Sequence, residues 1–183
     1  GKSPLVTCYP EIGGVRFPVE ARLSLRENPD GTVSLVPHPL RREPDLKSYE
    51  NIEFTDADRE SLKKTGNLGR VAEVLDKNTG ELVPSYISLD RQTNETISVP
   101  VSALRIPDEV KGVKLDKEQQ EALAAGKGVY LEGMTSKSGK RFNATIQINA
   151  DKQGLDFHFG GQRQTQRAEQ RNGQTQDDGH KVY

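Results

Sequence analysis

Val83-Pro84-Ser85-Tyr86-Ile87-Ser88-Leu89 is the stretch whose reading decides the fold, because two other parts of the chain repeat it. Phe142-Asn143-Ala144-Thr145-Ile146-Gln147-Ile148 aligns with it directly. Phe17-Pro18, followed by Ala21-Arg22-Leu23-Ser24-Leu25, aligns once a two-residue insertion, Val19-Glu20, is allowed. Each stretch ends in apolar/polar alternation, and a period of two puts Leu23 with Leu25, Ile87 with Leu89 and Ile146 with Ile148 on one face of a half-buried strand. Turn-forming residues come next: Asn28-Pro29-Asp30-Gly31, Arg91-Gln92-Thr93-Asn94 and Asp151-Lys152-Gln153-Gly154. A return strand follows each, at Val33–Val36, Thr96–Val99 and Leu155–Phe159, so each copy carries a β-hairpin. An internal repeat governs the architecture, and it predicts equivalent inward positions for Leu23, Ile87 and Ile146.

Outward from the hairpins, two copies are preceded by a short helix. Thr55 and Asp116 are N-cap candidates, Asp58 and Gln119 stand three residues on, and Gly66 and Gly126 are stop signals. Phe54/Leu115 and Leu62/Leu123 then give each helix one apolar edge to lay on its sheet. A further strand, Val71–Leu75 or Val129–Met134, joins each helix to its hairpin through a polar turn. The first copy lacks its helix, or the helix lies upstream of Gly1. Proline-rich linkers are expected at Pro37–Pro44 and Pro100–Pro107. The expected fold class is therefore α+β: three tandem β-hairpin-containing units, two with a preceding short helix, plus a disordered C-terminal tail. The expected divisions are 1–46, 47–106, 107–160 and a glutamine-rich tail, 161–183, whose composition does not offset the entropy of ordering.

Composition agrees with small, dispersed cores. Only 32% of residues are hydrophobic, 5% are aromatic and tryptophan is absent, which argues against one large globule with a deep pocket. Charge is dense but balanced, 26 basic against 27 acidic residues, so no global field draws in nucleic acid or an anionic membrane. The balance is local: residues 1–60 carry 8 basic and 11 acidic side chains, 111–163 carry 9 and 6. A lone cysteine, Cys8, excludes an intramolecular disulfide and fits a reducing compartment. No apolar run is long enough for a membrane helix and no signal-like segment is present, so a cytoplasmic location is expected.

Catalysis needs convergent groups, and the chain offers few. His38 sits between two prolines, His158 alternates with Phe157 and Phe159, and His180 is in the tail; all three read as exposed and non-catalytic. Glu118 and Glu121 share a helical face but read as solvated surface, and Cys8 has no activating neighbour. Neither a Walker loop nor a dinucleotide fingerprint occurs among the 17 glycines. No catalytic residue, metal site, cofactor or small-molecule substrate is expected, and the chain is read as a non-enzyme. The constellation that stands out is the basic turn Lys137-Ser138-Gly139-Lys140-Arg141 beside Phe142, with Lys127 and Lys152 nearby in sequence. Lysine and arginine around a turn glycine can reach phosphates, and backbone amides there can assist. The matching turn, Asp76-Lys77-Asn78-Thr79-Gly80-Glu81, is not basic, which argues against a uniform phosphate-tracking surface.

The segment Ile106 to Phe159, and within it GKGVYLEGMTSKSGKRFNA, resembles a domain of unknown function (DUF3945) common in Bacteroidetes and often found on conjugative elements. The stretch before it, from Asp58 to Pro100, looks like the region that accompanies that domain, a DUF4099-like part, and together the two cover roughly 1–160. More distantly, Gly126-Lys127, Ser136-Lys137, Gly139-Lys140 and Phe142 are similar to the short C-terminal repeat of some bacterial type IA DNA topoisomerases. That resemblance implies an accessory or substrate-positioning module, without strand cleavage. The expected function is a non-catalytic accessory module of mobile-element DNA metabolism that contacts nucleic acid or a nucleoprotein complex. Weak, salt-dependent binding of DNA or RNA is expected through Lys127, Lys137, Lys140, Arg141 and Lys152. The alternative is a protein–protein scaffold that recruits its partner along exposed strand edges.

Overall fold

The computed structural model describes residues 1–159; the tail expected at 161–183 lies outside them. Over these residues the chain is α+β, mostly strands in several small sheets with two helices. The first region contains β1 (Val6–Cys8), β2 (Glu11–Ile12), β3 (Val15–Arg16), β4 (Val19–Glu27) and β5 (Val33–Pro39). The second contains β6 (Ser48–Tyr49), β7 (Ile52–Glu53), α1 (Asp56–Thr65), β8 (Asn67–Leu75), β9 (Leu82–Asp90) and β10 (Glu95–Pro100). The third contains β11 (Glu109–Val110), β12 (Val113–Lys114), α2 (Lys117–Ala124), β13 (Val129–Thr135), β14 (Arg141–Asn149) and β15 (Gly154–His158). Each region has a three-stranded antiparallel sheet with a nine-residue strand central, in the orders β1-β4-β5, β8-β9-β10 and β13-β14-β15, and one two-stranded hairpin.

The helices form where their local signals place them. In α1 the Thr55 hydroxyl accepts from the Asp58 amide while the Asp58 carboxylate accepts from the Thr55 amide, and in α2 Asp116 and Gln119 do the same. Each box satisfies two of the N–H groups that a helix start leaves open. Gly66 ends α1 at φ 81, a left-handed geometry that costs glycine little. Both helices are too short to persist alone, and packing holds them. Leu62 packs with Phe54, Ala72, Val74, Ile87 and Leu89, and Leu123 packs with Leu115, Val129, Leu131, Met134 and Ile146. A third apolar cluster, Tyr86, Val99, Ile148 and Ala150, joins the second sheet to the third.

The first sheet departs from the expected pattern. Ile87 and Ile146 are buried, but Leu23 is only half-buried and Leu25 is exposed, because no helix among the described residues covers this sheet. Phe17 does not correspond to Val83 and Phe142. It follows the β2–β3 hairpin and donates its amide to the Pro10 carbonyl, as Phe54 does to Lys47 after β6–β7 and Leu115 to Asp108 after β11–β12. Phe17 is thus the hairpin-exit residue, displaced because in the first region the small hairpin lies between β1 and β4 rather than ahead of a helix. Pro37 and Pro39, expected in a linker, are in β5 instead; an outer strand tolerates proline because its free edge needs no amide donor.

Leu62→Ala and Leu123→Ala should each lower unfolding free energy by about 2–5 kcal/mol, the range for truncating a buried leucine. Leu25→Ala, on the uncovered face, should change it by no more than about 0.5 kcal/mol. Urea denaturation of the three variants separates the two classes.

Candidate nucleic-acid interface

The turn between β13 and β14 is built by its own polar residues. The Ser136 amide donates to the Lys140 carbonyl at 2.8 Å, Gly139 N–H to the Ser136 carbonyl at 3.0 Å, and the Ser136 and Ser138 hydroxyls share a bond of 2.9 Å. Gly133, at φ 77, lies in a bulge between Leu131 and Met134, and the Asn143 side chain accepts its amide at 2.9 Å. Such bulges bend and re-aim the strand end. The result exposes Lys137, Lys140 and Arg141 together at one end of the third sheet.

A fourth cation joins them from another element. Lys111 and Gly112 make the β11–β12 turn with φ of 51 and 88, and the Lys111 carbonyl accepts from the Thr135 amide at 3.0 Å. That bond ties the small hairpin to the end of β13, and the Lys111 ammonium stands 5.8 Å from the Phe157 ring centroid. Phe142 bridges Phe157 and Phe159 with centroid separations of 6.2 and 5.9 Å. Phe159 is 55% exposed. Among the described residues none of these four cations is in an ion pair. The second sheet resolves the same place differently: Glu50, with φ 52 in its hairpin, pairs with Lys77 of the β8–β9 turn at 3.0 Å.

The other two expected residues are elsewhere. β14 runs its full length from Arg141 to Asn149 between the basic turn and the turn that carries Lys152, so Lys152 sits at the opposite end of the sheet. Lys152 is also neutralised, its ammonium 2.6 Å from an Asp156 oxygen. Lys127 is exposed just past α2, and Val129 pairs with Ile146 rather than with the Arg141 end, which places Lys127 away from the turn as well. The five residues therefore divide: Lys137, Lys140 and Arg141 converge, Lys127 and Lys152 do not. Lys111, Phe157 and Phe159 were absent from the expected set, although Val110-Lys111-Gly112-Val113 carries the signal of a tight hairpin.

Lys152 belongs to a polar junction between the sheets. Asn67 donates to Gln147 at 2.9 Å and to Asp156 at 3.1 Å, Ser88 donates to Asn67 at 2.8 Å, and Asn149 donates to Asp156 at 2.6 Å. Next to them Asp90, 1% exposed, accepts from Lys2 at 3.0 Å and Arg22 at 2.9 Å, and both cations also reach Asp151. A cavity of about 510 Å³ opens here, lined among others by Arg22, Asp90, Lys152, Asp156 and His158. Burial alone would raise the Asp90 and Asp156 carboxyls, but their bonds to Lys2 and to Lys152 and Asn149 outweigh it and hold both below the ordinary value. Asp58 is likewise held down, chiefly by its two-pronged bond with Arg70 at 2.9 Å. His38 and His158 are not the exposed histidines expected. His38 bonds Ser24 and Glu95, each at 2.8 Å. Burial lowers His158, opposed by Asp156 at 3.8 Å and reinforced by Lys152 and Arg91.

The fold and this surface define a strand-rich α+β protein with an exposed basic turn at one end of its third sheet. Two family models match it: residues 107–160 match a protein of unknown function, DUF3945, and residues 1–49 match a second protein of unknown function, DUF4099. Each match covers less than a third of the chain, and the second falls ahead of the Asp58–Pro100 stretch expected to accompany the first. No curated protein and no solved structure matches the chain. The likeness to the topoisomerase repeat is not shown by these matches. Among the described residues no helix is long and apolar enough to cross a membrane.

Stability should fall on acidification in two stages. His158 has a folded-state pKa below 6.5, so the unfolded chain takes up its proton first; its contribution is full above 6.5 and is lost as pH falls below that value. Asp58, Asp90 and Asp156 contribute in full above 3.8 and lose it as pH falls through their lowered values. Urea midpoints measured across pH should show both declines, and His158→Asn should abolish the first while leaving the second.

Proposed function

We propose that the chain is a non-catalytic, cytoplasmic accessory module built from three tandem units, with divisions near 47 and 107, and that it binds single-stranded nucleic acid through the free end of the third unit. The observation that carries this reading is the exchange of charge at one position. Where the second sheet sets Glu50 against Lys77, the third sets Lys111 beside the turn of Lys137 and Lys140. Clustered like charges cost energy in the free protein, and a polyanion relieves the cost. The half-exposed Phe142 and the exposed Phe159 supply ring faces on which unpaired bases stack, and stacking beside lysine and arginine is how single strands are held without sequence preference. The family resemblance supplies the setting, mobile-element DNA metabolism, and the topoisomerase-like motif falls on the same turn. Recruitment of a protein along free strand edges has less support, because Pro37 and Pro39 leave the outer edge of the first sheet short of donors.

Replacing Lys137, Lys140 and Arg141 together with glutamine should weaken binding of a fluorescent single strand and flatten its salt dependence by about 0.7 per lost phosphate contact. Lys111→Glu, which installs the second sheet's arrangement, should do the same with no loss of stability. Phe159→Ala should weaken single strands by about 1–3 kcal/mol and duplex far less. Lys152→Gln should leave binding unchanged. Affinity and salt slope unaltered in the triple variant would remove nucleic acid from this surface.

A further inference from the structure

His38 stands between Pro37 and Pro39, and both neighbours stiffen it: proline fixes its own φ, and a residue that precedes proline is held extended. In the register of β4 and β5, Arg22 is opposite His38 and Ser24 is opposite Val36, so Ser24 and His38 lie diagonally on one face of the first sheet. Their side chains meet there, the Ser24 hydroxyl 2.8 Å from Nε2 of the imidazole. The other ring nitrogen, Nδ1, is 2.8 Å from Oε1 of Glu95, which opens β10 of the second sheet. Glu95 is fixed relative to β5 by the turn before it. The Arg41 amide donates to the Thr93 carbonyl at 2.7 Å, the Asn94 side chain donates to the Arg41 carbonyl at 2.8 Å, and the Glu95 amide donates to the Thr93 hydroxyl at 3.3 Å. The Lys2 ammonium stands 3.8 Å from the same Glu95 oxygen.

The order of the three groups carries chemistry. A carboxylate only accepts, so Nδ1 bears the hydrogen of the neutral imidazole, and Nε2 is left to accept from the Ser24 hydroxyl. Serine, imidazole and carboxylate linked through these atoms make the arrangement that activates a serine oxygen, and it is defined by geometry and roles rather than by chain order or fold. We infer that Ser24 is an activated nucleophile, an acceptor site for the acyl group of an activated ester or thioester. Ser24 Oγ attacks the carbonyl carbon and its proton passes to His38 Nε2; the bond from that carbon to the leaving oxygen or sulfur breaks, and the leaving group takes the proton from His38. Ser24 ends as an ester and the imidazole as it began. His38 is the base, and Glu95 is a positioning residue that holds the ring in the tautomer and orientation the transfer needs. The step modifies the chain's own serine and asks no turnover of it. It goes beyond the nucleic-acid reading and belongs to the first sheet, apart from the basic turn of the third. Ser34 shows what the same face offers without a base: it lies opposite Arg26, is half-buried like Ser24, and its hydroxyl accepts from the Asn28 side chain at 2.7 Å.

Incubation of the full chain with p-nitrophenyl acetate, with the acetylated positions mapped by mass spectrometry, tests this. Ser24 should be acetylated at least about a hundredfold faster than Ser34, the factor a general base contributes. That comparison is made within the wild-type chain and stands even if a variant fails to fold. His38→Ala should bring Ser24 down to the rate of Ser34, and imidazole added to that variant should restore Ser24 and leave Ser34 unchanged. Glu95→Gln, whose amide also donates and so no longer selects the tautomer, should slow Ser24 at least about tenfold, with folding checked by circular dichroism. Affinity for single-stranded nucleic acid should be the same in Ser24→Ala as in the wild type, which keeps failure of this inference distinct from failure of the nucleic-acid reading. Acetylation of Ser24 no faster than of Ser34 would overturn the inference. So would a rate unmoved by the His38 and Glu95 substitutions, and the three groups would then be only a brace between the first and second sheets.

Discussion

Asp90 is a carboxylate almost without solvent, and the arrangement of the three sheets depends on keeping it paired. It ends β9, and its partners come from elsewhere: Lys2 from the chain start and Arg22 from β4, which also hold Asp151 in the turn after β14. Removing one partner of such a buried set leaves an uncompensated charge, which costs far more than the pair contributes when whole. The neighbouring Asn67, Ser88, Gln147, Asn149 and Asp156 bonds act in the same direction, since each buried polar group must find its partner in one relative placement. Apolar contact between the second and third sheets includes a cluster around Tyr86 and Ile148 with four buried members. The polar junction therefore specifies orientation, whereas the two helix-covered cores supply most of the buried apolar area.

Much of the local structure was legible because its signals are local. Alternation in Ile87-Ser88-Leu89 and Ile146-Gln147-Ile148 marked the central strands, and Thr55/Asp58 and Asp116/Gln119 marked the helix starts by their three-residue spacing. The first sheet was harder. Its small hairpin occupies a different point in the chain order, so Phe17 aligns by pattern with the wrong residues, and alternation at Leu23 and Leu25 does not bring burial because no helix among the described residues covers them. The junction was not legible at all. Lys2 and Asp151 meet across a separation of 149 residues, and singly they look like ordinary surface charges.

The interface was legible in part for the same reason. Lys137, Lys140 and Arg141 announce themselves by adjacency, but Lys111 reaches them only through the bond from Thr135, and Lys127 and Lys152 were grouped with them by sequence distance that β14 converts into spatial distance. Charge at this end of each sheet turns on single hairpin residues: Glu50 closes an ion pair with Lys77, and Lys111 stands over the Phe157 ring with no ion pair among the described residues.

The junction also bears on the order of events in folding. The second and third sheets are meanders of strands adjacent in the chain, and the first closes around its small hairpin, whereas the Lys2, Arg22, Asp90 and Asp151 bonds join residues separated by 68 to 149 positions. Loop-closure entropy delays such contacts until the local pieces exist. The junction is then a late contact, absent from the rate-limiting barrier of folding. Disturbing Asp90 would steepen escape from the native state while leaving its formation rate nearly untouched, an asymmetry between the two limbs of a chevron plot. The residue that sets the sheets' orientation would on this view act as a latch on lifetime, with little say in whether the chain finds its fold.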